Sequence, residues 1–172
     1  MTVIKEFKDK LYCDAAGAAT GAVAGKDVWL CIFNATGEKL LAVAMQNSLK
    51  INREKDIIDI DAKTIDGGWK TKVAGIKDWS IEVEGVYSPD ESLKEIKKAF
   101  NDDAYLCVKV INNKAKKSLL GGLTLVKSIK DEAPNDDSVT YSIALEGCGK
   151  LVDFDVDTEK AGQAVQMVGE GL

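Results

Sequence analysis

The residues that could do acid–base, nucleophilic or metal chemistry are few, and their spacing ties none of them together. Cys13, Cys31, Cys107 and Cys148 lie far apart, and the chain has no histidine. A zinc site would need closely spaced cysteines or histidine partners, and neither is present. Without histidine, the commonest general base and the usual partner of a nucleophilic serine or cysteine is missing. Asp153-Phe154-Asp155-Val156-Asp157 opens like a calcium loop. Thr158, however, holds the sixth position, where the turn needs glycine, and Ala164 the twelfth, where a bidentate glutamate closes the site. Gly21 to Lys26 has the outline of a phosphate-cradling loop, but Thr20 replaces its first glycine and Asp27 the hydroxyl that would hold magnesium. Asp136 and Asp137 read as loop solubilisers, not as a catalytic dyad. The expectation is a protein that is not an enzyme and needs no metal or cofactor.

The rest of the sequence concerns structure. With 172 residues the chain can bury the core of one domain, and 45% hydrophobic with 30% charged residues is an ordinary globular balance. A net charge of −5 argues against electrostatic gripping of nucleic acid. No run approaches the roughly 20 apolar residues needed to span a membrane. Residues 1–26 read as an arm with an alanine- and glycine-rich linker, 27–152 as a β domain, and 153–172 as a C-terminal arm. Within the domain the pattern predicts strands over Val28–Phe33, Glu38–Ile51, Tyr105–Ile111, Leu119–Ile129 and Val139–Leu145. Cys31 and Cys107 sit in apolar strand-like runs and are expected to be buried free thiols. A helix is predicted over 89–100, with Ser88 as cap, Pro89 in the first position, Glu91 completing a capping box, and Leu93, Ile96 and Phe100 as its buried stripe. The expected architecture is mainly β: an antiparallel sandwich or split barrel with one short helix.

The central stretch, Ile58 to Tyr87, shapes this reading. Ile58-Asp59-Ile60-Asp61-Ala62 alternates apolar and acidic residues, and from Trp79 onward Trp79, Ile81 and Val83 alternate with Ser80, Glu82 and Glu84. Between the two strands an irregular connection is expected over 63–78, carrying Gly67, Gly68, Trp69, Gly75 and Ile76. So long a connection in a compact domain calls for a function, and an unsheltered Trp69 calls for something to bury it. Trp79, Ile81 and Val83, together with Tyr141 and Ile143 of the last strand, are expected in the core.

The order D-x-D-A-K-T-x-D-G-G-W-K-x-K-x-x-G-x-K-D-W-S-I-x-x-x-G resembles the signature of the major tail (tail-tube) proteins of long-tailed, non-contractile bacteriophages. A second block, E-A-P-x-D-D-x-x-T-Y-S-I-x-L-E-G from Glu132 to Gly147, follows in the right place, and the likeness covers roughly residues 26–152. Gly67, Gly68, Trp69, Gly75 and Trp79 belong to the first block, and Asp136, Asp137, Thr140 and Tyr141 to the second. The resemblance implies a virion protein, assembled in the host cytoplasm, whose hexameric rings share an inner β-barrel and stack into a tube. It implies tape measure, tail terminator and distal tail proteins as partners, and double-stranded DNA passing without specific binding. Inter-subunit or inter-ring contacts are then expected at Gly67, Gly68, Trp69, Gly75 and Ile76. If both central strands turn their isoleucines and valines inward, Asp59, Asp61, Glu82 and Glu84 share one outer face and would line the lumen. The inner tubes of contractile tails and of injection or secretion machines share the fold and stay open as alternatives, as does a monomeric, secreted carbohydrate- or cell-binding β-sandwich.

Overall fold

The computed structural model describes residues 22–60 and 69–154. Both expected arms, Cys13, Asp61, Gly67 and Gly68 therefore fall wholly or largely outside the described residues. A turn of 3-10 helix, Gly25–Asp27, leads into β1 (Val28–Phe33). Then come β2 (Leu40–Ala42), β3 (Gln46–Ile60), β4 (Thr71–Val86), α1 (Glu91–Asn101), β5 (Leu106–Asn112), β6 (Lys117–Glu132) and β7 (Thr140–Asp153). All pairings are antiparallel and make a seven-stranded sheet in the order β2-β1-β5-β6-β7-β4-β3.

That order forces the sheet to curl. β2 and β3 stand at its opposite ends, yet only residues 43–45 join them. Six strand spacings on a flat sheet come to about 28 Å, while three residues bridge roughly 10–14 Å. The edges must therefore approach each other, and the result is a mainly β split barrel whose sheet does not close by strand pairing. One side chain spans the seam. The Leu30 N–H of β1 donates to Gln46 Oε1 at 2.8 Å, and Gln46 Nε2 donates to the carbonyls of Leu30 and Val43, both at 3.1 Å. The carboxamide thus stands in for a missing rung between β1 and β3. Gln46→Leu, similar in volume, would strand the Leu30 N–H. It is expected to lower stability by about 1–3 kcal/mol, seen as an earlier urea midpoint at unchanged slope.

The strand expected over Glu38–Ile51 is two strands. Met45 takes φ 46°. The intervening backbone is held crosswise, with Ala44 N–H donating to Ser92 Oγ at 3.2 Å and the Tyr141 hydroxyl donating to the Ala44 carbonyl at 2.5 Å. Burial pushes the Tyr141 phenol up to about 12. Its proton thus stays in place to make this bond.

α1 begins later than expected. Its N-cap is Asp90, in extended conformation, and the first helical bond runs from Lys94 N–H to the Asp90 carbonyl. The cap is therefore Asp90 and not Ser88, and Pro89 precedes the helix instead of opening it. The Ser92 hydroxyl donates to the Asp90 carboxylate at 2.8 Å and holds that carboxyl below its ordinary range. The helix buries Ser92, Leu93, Ile96 and Ala99. Phe100 corrects the expected stripe. Ala99 takes the inward place in the last turn, and Phe100 is left on the flank, 44% exposed, beside Tyr105, Leu125 and Val126.

The core gathers Leu30, Ile32, Trp79, Ile81, Val83, Leu93, Ile96, Val108, Val110, Tyr141, Ile143 and Leu145. Cys31 and Cys107 are free and buried, and desolvation raises both thiols, Cys107 to about 11. Among the described residues no helix is long and apolar enough to cross a membrane, and no cluster of three or more candidate metal ligands occurs.

Candidate assembly surface

The feature outside this packing is the far half of the β3–β4 hairpin. Among the described residues, β4 is flanked on both sides only over Ser80–Val86, where β7 lies against it. From Thr71 to Asp78 it pairs with β3 alone, in a register that runs from Glu54↔Asp78 to Ile60↔Thr71. The connection expected over 63–78 is therefore strand from Thr71 onward, and the two strands project as an arm. An isolated two-stranded ribbon is marginal in water, so this arm wants a second surface.

Its residues say what kind of surface. Ile57, Ile58, Ile60, Trp69, Val73 and Ile76 are exposed, Trp69 by 80% and Ile76 by 79%. Ile58 pairs with Val73, which places both on one face. Burying a large apolar side chain is worth about 1.5–3 kcal/mol, so the arm leaves a substantial driving force for association in solvent. Lys70 is also exposed, and Lys72 lies 3.7 Å from Asp59 across the strands. That exposed pair contributes little.

A bulge shifts the register of β4 within the arm. Between Lys55↔Lys77 and Ile57↔Ala74, β4 carries one residue more than β3. Gly75 sits there. A Cβ on it would lie 2.9 Å from the Asp56 Cβ and 3.1 Å from the Asp56 carbonyl, closer than a side chain tolerates. The extra residue shifts the pairing of β4 on β3 by one beyond it. Even-numbered residues of β3 share the face of Glu82 and Glu84, as in Lys50↔Glu82 and Ser48↔Glu84, whereas Asp59 is odd and pairs with Lys72. The expected common acidic face is thus corrected. Asp59 points to the opposite side from Glu82 and Glu84, Ile58 and Ile60 are exposed instead of inward, and Asp61 lies outside the described residues.

Glu82 and Glu84 lie on the sheet face turned away from the core, with Lys50 3.9 Å from Glu82. Lys127 donates to Glu146 at 2.6 Å, and that bond, aided by the glutamate charge, raises the lysine. The face is polar and of mixed sign. Asp153, from the calcium-loop motif, lies 3.6 Å from Arg53, and Asp155 and Asp157 lie outside the described residues. Sequence reasoning missed Gln46 and the length of the arm. The polar run Asn52 to Asp56, where no core face can form, was the available signal for the latter.

Comparison with known proteins accords with this architecture. A family profile described as phage tail tube protein matches residues 22–153. The fold is similar to a chain of the tail of an empty gene transfer agent particle, computed with helical refinement in C6 symmetry. TM-score is 0.69 and identity 21%, over 77% of this chain and 98% of that one. It is similar to a chain of the SPP1 tail tube, with TM-score 0.63, 18% identity, and 77% and 79% coverage. A chain of the six-fold symmetrised anti-feeding prophage baseplate follows at TM-score 0.57 and 10% identity, with 77% and 95% coverage. Among curated protein sequences none matches.

Proposed function

The chain belongs to the phage tail tube protein family, which makes it a structural protein of a virion tail, and from that premise we propose how it assembles. Six copies close into a ring, rings stack into the tube of a non-contractile tail, and double-stranded DNA passes through the lumen into the host. The observation that carries this reading is the apolar arm together with the open edge of β3. Among the described residues, β3 pairs with another strand on one side only along its fifteen residues. So long an unpaired edge recruits another chain unless it is covered, and a neighbouring subunit's sheet covers it in a closed ring. The arm, with Trp69, Gly75 and Ile76, and with Gly67 and Gly68 in the adjoining segment, then reaches a neighbouring subunit or ring. Tape measure, tail terminator and distal tail proteins meet the tube at its axis and ends, and assembly takes place in the host cytoplasm. The C6 symmetry of the gene transfer agent tail supports the ring number. Negative-stain microscopy of the purified chain should show six-fold rings or tubes. Sedimentation of only an 18.5 kDa species at high concentration and after long incubation would end the reading.

In such a ring the polar face bearing Glu82 and Glu84 lines the channel. Its acids repel phosphates and its lysines moderate the field, so that DNA slides without sticking. Glu82→Lys combined with Glu84→Lys should leave rings able to form. Tubes of this variant should retain duplex DNA at low salt and release it as salt rises, with a clear negative slope of log affinity on log salt. Unchanged DNA passage and no retention would place this face on the outside of the tube.

A further inference from the structure

We propose that the groove at the C-terminal end of α1 receives the arm tip of a second copy of this chain, Trp69 entering beside Tyr105 and Lys70 meeting Asp102 and Asp103. The inference rests on the assembly reading and names the surface on which the arm docks.

The groove is a hollow of about 380 Å³ lined by Phe33, Ala99, Tyr105 and Leu106. On the other side of Tyr105 a second hollow is walled by Phe100, Leu125 and Val126. Phe100 and Tyr105 stand 44% and 50% exposed at this place, two large rings beside concave apolar walls. An indole buries some 150–250 Å² when it inserts, and prefers aromatic edges and faces with a partner left for its N–H. Carbonyls and carboxylates supply such partners here.

The charges match as well. The rim carries Glu95, Asp102 and Asp103 against Lys98 alone, and the negative end of the helix dipole emerges between them. Asp103, at φ 52°, turns the chain out of the helix, and Ala104 N–H returns to the Ala99 carbonyl at 2.9 Å. That closure fixes the rim beside the groove. The described end of the arm presents exposed Trp69 followed directly by exposed Lys70, while Lys72 behind them faces Asp59. Trp69 is 80% exposed and does not occupy the groove of its own chain, so it is available to the groove of another copy.

Trp69 replaced by photoreactive p-benzoylphenylalanine tests the contact in assembled tubes. Irradiation should give an inter-chain adduct whose peptide maps to residues 99–106 or to the other groove walls at Phe33, Leu125 and Val126, and an adduct in any other segment overturns the proposal. A charge exchange tests it without touching the indole. Lys70→Glu and Asp102→Lys should each raise the concentration needed for tube formation about tenfold. Together in one chain they should return it to within roughly threefold of wild type, whereas losses that simply multiply refute the pairing. A wild-type chain that stays monomeric overturns the assembly reading and this contact with it. Tubes that form but cross-link elsewhere overturn the contact alone.

Discussion

Trp79→Ala is expected to lower the free energy of unfolding by about 3–5 kcal/mol, the range for truncating a buried aromatic. The indole is 6% exposed and donates to the Gly149 carbonyl at 2.9 Å. Its ring reaches from β4 across β7 to β6. A Cβ on Gly122 would meet the ring at 2.7 Å, and one on Gly147 would overlap its five-membered part. The two glycines form the floor on which the ring lies, and that floor has no side chains of its own to fill the cavity after truncation. Trp79 also marks where the arm leaves the body. Its partner on β3 is Arg53, and from Asn52 to Ile60 every residue of β3 is exposed. Urea unfolding of the purified chain measures the effect. Gly147→Ala, which pushes the same ring from below, should give a loss of similar order. A change under about 1 kcal/mol for Trp79→Ala would show that the ring does not join the three strands.

This part of the fold was legible because one side of each strand faces a core. Strict alternation in Trp79, Ile81, Val83 and in Tyr141, Ile143, Leu145 is what a half-buried strand requires, and all six are buried. The same logic fails where no core lies on either side. Thr71 to Asp78 form a strand, but they rest on β3 alone, so nothing selects alternation and the segment reads as irregular. The break at residues 43–45 was hidden for another reason. Val43 is buried in the bend itself, so the apolar rhythm runs through a position where the backbone leaves the strand.

The candidate site was legible in part. A tryptophan following two glycines pointed to an exposed side chain, and Trp69 is exposed. The facing of the acids was not legible, because Asp59 is out of phase along β3 with Ser48 and Lys50, which pair with Glu84 and Glu82, and the exposed stretch from Asn52 to Ile60 has no core side to reveal that phase. The groove beside Phe100 was hidden too. Helical periodicity gives the direction of a side chain, but not whether the sheet beneath extends far enough to cover it.

Trp69→Ala should have the reverse consequence from Trp79→Ala, though the residues lie ten apart. Trp69 is largely in solvent, so its loss should change monomer stability by no more than about 0.5 kcal/mol, as for an ordinary surface substitution. Assembly should respond strongly. Buried tryptophans at the centre of an interface are worth about 2–4 kcal/mol, which is roughly a 30- to 1000-fold loss in association constant for each contact. A stacked tube repeats that contact in every subunit, so the variant should remain as folded monomers or isolated rings at concentrations where wild type forms tubes. Trp69→Phe, which keeps an apolar ring of smaller reach, should fall between them. Sedimentation read beside the urea midpoint separates the possibilities. Tubes at the wild-type concentration would remove Trp69 from the interface, and a shifted midpoint with tubes surviving in the soluble fraction would make it part of its own domain. The expected pattern, an unmoved midpoint with tubes lost, follows from one physical difference. Trp79 has glycines on two strands shaped around it, and Trp69 stands in solvent.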